Sequence, residues 1–172
     1  MYDKIKLQLL NDESLISEVK NVFAMHGIIR DKGYFEKCYE ENISGERITI
    51  LAYYDGILAG CSHLKKVSDY PYFKKNDIPE INDLNVFSAF RNKGIAGRII
   101  DELEAAISET HDTVGIGVGL FSDYGTAQRL YCKKGYIPDG HGLQYNYEQV
   151  QPGTHVFVDD DLNLYYTKQL NG

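Results

Sequence analysis

Tryptophan is absent from the 172 residues, and cysteine is scarce: Cys38, Cys61 and Cys132 stand far apart and are odd in number. Such a trio excludes a disulfide framework, and without a C-x-x-C pair it makes no zinc knuckle. The five histidines, His26, His63, His111, His141 and His155, show no H-x-x-x-H spacing, so no metal site is expected. No apolar run approaches the roughly 18 residues that a membrane span needs, and MYDKIKLQLLNDES holds no long apolar stretch. A reducing cytoplasm and no membrane partner are the expectation. Positive charge is also short, with 18 Lys and Arg against 25 Asp and Glu and a net charge of −7. That balance disfavours a nucleic-acid partner. It suits a cationic small molecule or a basic peptide, or serves solubility alone. Repeats and low-complexity segments are missing too.

What is there suffices for one packed core. Hydrophobic residues make up 43% of the chain, which at this length predicts a single domain over residues 1–172. KIKLQLL alternates as a strand does. Residues 12 to 24, with Asn11 or Asp12 as cap, put Leu15, Ile16, Val19, Val22 and Phe23 on one helical face. A short helix is expected from Tyr34 to Glu41. RITILAYYDGILAGCSHLKKV reads as a hairpin turning at Asp55-Gly56. Val67 to Pro79 reads as a loop and Glu80 to Phe87 as a strand. Helix Ile95 to Ile107, strand Thr113 to Phe121 and helix Tyr124 to Lys133 follow. Late strands are expected around Tyr136, at Leu143 to Tyr147 and at Leu162 to Leu170. The strand–helix–strand unit from Glu80 to Phe121 requires a parallel pair with a right-handed crossover. The flanking hairpins make the remainder antiparallel, a mixed α/β sheet.

Residues 90 to 98, FRNKGIAGR, set glycines where a helix is about to begin, although glycine costs roughly 1 kcal/mol against alanine inside one. A strand-to-helix turn presents unpaired backbone N–H groups and the positive end of the helix dipole. Gly94, Ala96 and Gly97 leave little bulk in the way of an anion, and Arg91 and Lys93 add charge. The turn is alternatively a plain glycine turn with solvated basic residues. The dinucleotide fingerprint G-x-G-x-x-G and the Walker pattern are both missing.

The form R-x-x-G-x-A from Arg91 to Ala96, after the strand DLNV and before a helix, resembles the acetyl-CoA signature of the GNAT N-acetyltransferase superfamily. Residues 127 to 136, AQRLYCKKGY, are similar to that family's A-x-x-x-Y-x-x-x-G-F/Y segment, with Ala127, Tyr131, Gly135 and Tyr136 in place. The resemblance covers about residues 80 to 137. It implies a mostly antiparallel sheet with a central parallel pair splayed around the cofactor and flanked by about four helices. It also implies that acetyl-CoA is the cosubstrate, its pyrophosphate held by backbone amides of Arg91, Asn92, Lys93, Gly94, Ile95, Ala96 and Gly97. Leu84 and Val86 on the preceding strand, and Tyr124 and Ala127 at the second segment, are the further cofactor-binding positions. Tyr124 departs from the asparagine that is frequent at its place and contacts the cofactor there. Tyr131 matches the tyrosine that commonly reprotonates the leaving thiolate.

An ammonium has no lone pair, so an amine acceptor must lose a proton before attack. Alternation places Glu80, Asn82, Leu84 and Val86 on one strand face and Asp83 on the other. Glu80 stands where related enzymes carry a base, and burial would have to raise its pKa for the task. Asp83, His63 or a water chain are the alternatives. The function implied is acetyl transfer to a primary amine of a small molecule or peptide by direct attack, with a homodimer admissible. The rival reading is a non-catalytic acyl-CoA-binding sensor. Two features stay open: Gly115, Gly117 and Gly119, on one strand face, make room for cofactor or substrate or are covered by tyrosines. The run Asp159-Asp160-Asp161 draws a cationic acceptor or forms a solvated turn.

Overall fold

The computed structural model describes residues 4–171. In chain order the elements begin with β1 (Ile5–Leu9), α1 (Leu15–Met25), α2 (Tyr34–Ser44), β2 (Arg47–Tyr54), β3 (Ile57–Lys65) and α3 (Pro71–Lys75). They continue with β4 (Glu80–Val86), α4 (Ile95–Ile107), β5 (Thr113–Gly119), α5 (Gly125–Lys133), β6 (Ile137–Tyr145), β7 (Glu148–Gln149) and β8 (Leu162–Gln169). The strand order is β1-β2-β3-β4-β5-β8-β6-β7. The chain forms two compact units, one running through Lys65 and resuming at Asn82–Leu103, the other comprising Lys66–Ile81 and the chain from Glu104 onward.

In the first unit, β1, β2 and β3 form an antiparallel meander. Asp55 (φ 49°) and Gly56 (φ 83°) are both left-handed, as the favoured two-residue hairpin turn demands. α1 starts at Leu15, later than the pattern suggests, because the Asp12 carboxylate accepts the Ser14 N–H (2.9 Å) and holds a turn there. Phe23 packs edge-on against Phe35 and Phe87, with centroids 4.9 and 5.2 Å apart, at the centre of an apolar cluster with Val19, Leu51 and Leu58.

β4 breaks the alternation expected of it. Asp83 has φ 50°, and a left-handed residue inside a strand interrupts the pleat as a bulge does. The two-residue period therefore does not carry from Glu80 and Asn82 through to Leu84 and Val86.

In the second unit, β5 pairs antiparallel with β8 along its whole length and parallel with β4 at Glu80↔Gly115 and Ile81↔Ile116. The segment expected as a loop from Val67 to Pro79 contains α3, with Pro71 in its first turn, where a missing N–H costs nothing, and Phe73 fully buried. It makes a fifth α-helix where about four were expected. The strands expected around Tyr136 and over Leu143 to Tyr147 are one strand, β6, whose pairing with β8 shifts register between Pro138 and Leu143. Tyr147 falls outside it, in a turn with Asn146.

Candidate functional site

Asn92 (φ 61°) and Gly94 (φ 80°) are both left-handed, and Arg91 to Gly94 lie exposed between β4 and the first residue of α4, Ile95. A Cβ placed on Gly94 would meet no atom within 4 Å, so the space over that peptide is open. Ile95 points inward with Ile99, Ile100 and Leu103, all buried, which anchors the helix while Ala96 and Gly97 remain half-buried in its first turn. Arg91 donates from Nε to the Val86 carbonyl (3.3 Å), and the Lys93 ammonium lies 5.0 Å from the centre of the Tyr54 ring.

Three expected cofactor positions meet at one cavity of about 210 Å³. Leu84, Val86 and Arg91 line it, together with His26 and Ile28 from the α1–α2 connection and with Asn85 and Phe87. Leu84, Asn85 and Val86 are consecutive, whereas alternating side chains would offer every second residue. The His26 and Phe87 rings stack across the cavity's edge (4.1 Å, 5°). His26, Ile28 and Asn85 escaped the sequence reading, since nothing in their spacing marks them.

From Asp83 of β4 a partly buried chain of polar side chains runs through the same unit. The Tyr34 hydroxyl donates to Asp83 Oδ2 (2.7 Å) and lies 3.2 Å from His63 Nε2, while His63 Nδ1 lies 2.8 Å from the Thr49 hydroxyl. Asn42 Nδ2 donates to that same hydroxyl oxygen at 2.7 Å. A carboxylate only accepts, so Tyr34 spends its proton on Asp83 and must accept from His63 Nε2–H. His63 is 1% exposed, and that burial lowers its pKa against the pull of Asp83, keeping the ring neutral. Nδ1 is then the acceptor of the Thr49 hydroxyl proton. Both ring nitrogens are engaged, which leaves His63 no lone pair for a substrate proton. Burial pushes the Asp83 carboxyl up, yet His63, Tyr34 and Arg30 together pull it net below the usual range. Asp83 stays ionised and is correspondingly a weak base.

Glu80 and Tyr131 belong to the second unit and have separate neighbours. Glu80 is 7% exposed, accepts the Ser68 hydroxyl proton at Oε2 and raises the pKa of Tyr147 and Tyr165, after burial, through its charge. Ser68 is itself fixed by the Tyr70 N–H (3.0 Å). Tyr131 sits on α5, 5% exposed, its ring 6.2 Å from that of Tyr136. Burial alone drives its phenol well above the ordinary range, so the hydroxyl keeps its proton at neutral pH.

Ala127 is half-buried one turn earlier. Tyr124 donates its hydroxyl to Asp160 (2.7 Å) and lays its ring over Gly119. Gly115 and Gly117 are covered likewise by Phe73 and Tyr165, so aromatic rings occupy the glycine face of β5. Asp159 accepts from Tyr145 (3.0 Å) and from the Asp161 N–H (3.1 Å), which makes the acidic run a turn. Among the described residues no His, Cys, Asp and Glu cluster could hold a metal ion, and no helix is long and apolar enough to cross a membrane.

A family model described as an acetyltransferase (GNAT) domain matches residues 21–152. No curated protein matches the chain. Among solved structures, the Salmonella typhimurium acetyl transferase that modifies the N-terminal serine of ribosomal protein L7/L12 is similar with a TM-score of 0.70 and 13% identity, over 98% of this chain and 96% of that one. Arabidopsis thaliana NAA60 in complex with acetyl-CoA gives 0.67 at 18% identity, covering 98% and 99%. Arabidopsis thaliana Naa50 with the bisubstrate analogue CoA-Ac-MVNAL gives 0.64 at 17%, covering 97% and 99%. The mixed, mostly antiparallel sheet with its one parallel pair is the fold of these proteins.

Proposed function

The chain belongs to the GNAT family of acetyltransferases, and on that premise we propose that it is a single-domain, acetyl-CoA-dependent N-acetyltransferase acting on a primary amine of a small molecule or peptide. The observation that carries this is the strand–turn–helix from Leu84 to Gly97, with two left-handed residues and open space over the Gly94 peptide. An open, small-residue backbone at a helix N-terminus suits the pyrophosphate of coenzyme A. Arg91 and Lys93 supply charge beside it, and Leu84 and Val86 hold the arm that follows. Tyr124 and Ala127 are the remaining cofactor positions, although the Tyr124 hydroxyl is already engaged by Asp160.

Acetyl-CoA supplies an activated acyl thioester when bound. The residues of the chain manage protons around it. Glu80 takes the proton that an ammonium acceptor must lose. It is buried at 7% exposure with the Ser68 hydroxyl donating to its Oε2. Tyr131, kept protonated by burial, gives its proton to the departing thiolate. The similar Salmonella typhimurium enzyme modifies the N-terminal serine of a protein, which makes peptide α-amines the acceptors to try first.

A thiol-release assay with acetyl-CoA across peptides, polyamines, aminoglycosides and simple amines tests the reading. Amine-dependent release with at least one class is the expected result. Acetyl-CoA binding without amine-dependent release from any class would assign the non-catalytic acyl-CoA-binding role instead.

A further inference from the structure

Asp83 does more than interrupt a strand. Its Oδ1 accepts from the Arg30 guanidinium and from Asn85 Nδ2 (2.8 Å), and its Oδ2 accepts from Tyr34 (2.7 Å). Asn85 Nδ2 also reaches the Asp83 carbonyl (2.9 Å), bracing the left-handed residue from its own strand. Arg30 lies in the connection between α1 and α2, its guanidinium 5.8 Å from the Phe23 ring centre and 5.4 Å from that of Tyr34. That connection supplies His26 and Ile28 to the cavity, and the segment after Asp83 supplies the wall made of Leu84, Asn85 and Val86. One carboxylate thus joins both walls of the cavity, and it does so at the left-handed residue of β4.

We propose that Asp83 is a positioning residue: through Arg30 its carboxylate latches the α1–α2 connection to the bulged segment of β4, and the latch sets the cavity in which Leu84 and Val86 meet the cofactor. The inference rests on the cofactor assignment above. The ion pair is only about a quarter exposed on each side, so water screens it weakly. Arginine suits the latch because its planar fork can bond a carboxylate while its face rests on aromatic rings.

Calorimetric titration of acetyl-CoA into full-length variants tests this, with each variant's thermal unfolding recorded and the titration run where it is folded. Asp83→Asn keeps a residue at home in the left-handed region but removes the charge. Arg30→Ala removes the other partner, and Arg30→Lys keeps a cation without the fork. Asp83→Asn and Arg30→Ala should each weaken acetyl-CoA binding by about tenfold, and the double variant should lose no more than the worse single one. Arg30→Lys should recover part of the loss. A residue that serves stability alone would lower the unfolding temperature and leave affinity intact. Wild-type affinity in both single variants, or fully additive losses in the double, overturns the latch and leaves the cofactor assignment standing. A wild-type chain that does not bind acetyl-CoA overturns both. If Asp83→Asn does not fold, Arg30→Ala against Arg30→Lys decides: equal affinity to the wild type in both overturns the latch.

Discussion

Thr49 and His63 in the first unit are buried polar side chains held in place by donors and acceptors that must point the right way. Gly115, Gly117 and Gly119 in the second unit are bare backbone, closed over by the rings of Phe73, Tyr165 and Tyr124. The first arrangement depends on protons and charge, the second on volume. A polar chain fails when one member changes protonation, since each partner then loses its complement. A glycine–aromatic seam is indifferent to pH and fails when a methyl group is added. Each unit is therefore vulnerable in its own way, and different perturbations should separate them.

Volume should have the largest effect. A Cβ on Gly115 would lie 2.1 Å from the Phe73 ring, which is fully buried and has no room to withdraw. Gly115→Ala is expected to destabilise the protein by about 3 kcal/mol, at the upper end for overpacked cores. Gly119→Ala would press on Tyr124 at 2.3 Å, but that ring is only half-buried and can swing away, so its cost should be clearly smaller. Denaturant unfolding of the two variants ranks them; the reverse order would contradict the packing account.

Next come the two acid–base candidates of the second unit. Tyr131→Phe removes one hydroxyl and keeps the ring, so packing should survive while turnover falls by about 10²-fold. Unchanged turnover would mean that the thiolate leaves without it. Glu80→Gln keeps shape but accepts no proton. Its loss in kcat/KM should be greatest near neutral pH and shrink as rising pH supplies free amine. A profile parallel to the wild type would make Glu80 structural, with its Ser68 hydrogen bond as the reason for its burial.

Much of the fold could be read from local pattern. α4 was expected at its observed bounds because Ile95, Ile99, Ile100, Leu103 and Ile107 repeat at helical spacing and all are buried. Asp55-Gly56 marked its turn because few other pairs tolerate two left-handed residues. α3 was invisible: five residues are too few for a period to show, and a buried Phe73, not a repeat, holds it. β6 read as two strands because Gly140 and Gly142, both left-handed, interrupt its pattern. The turn from Arg91 to Gly97 was legible because its chemistry is contiguous. The Asp83 network was not, since Tyr34 and His63 stand 29 residues apart and Tyr34 and Asp83 stand 49 apart. Nothing in DLNV announces a positive φ.

The smallest effect falls on the polar chain of the first unit. His63 has a lowered folded pKa, so below the unfolded value of about 6.5 the unfolded chain takes a proton that the buried ring refuses. Stability should therefore decline as pH falls from about 6.5. Asp83, also lowered, stabilises above about 3.9 and loses that contribution as pH falls below it. His63→Gln should flatten the decline between about pH 6.5 and 5 and leave the more acidic limb to the carboxylates. An unchanged slope there would place the titrating group elsewhere.

The glycine turn is the centre of the functional account, and acetyl-CoA titrated calorimetrically into wild type and Gly94→Asp tests it most directly. The substitution adds a carboxylate over an open backbone at a helix N-terminus, where like charge opposes a pyrophosphate. The wild type should bind acetyl-CoA, and a folded Gly94→Asp variant should show no measurable binding. Undiminished affinity in that folded variant would contradict the account.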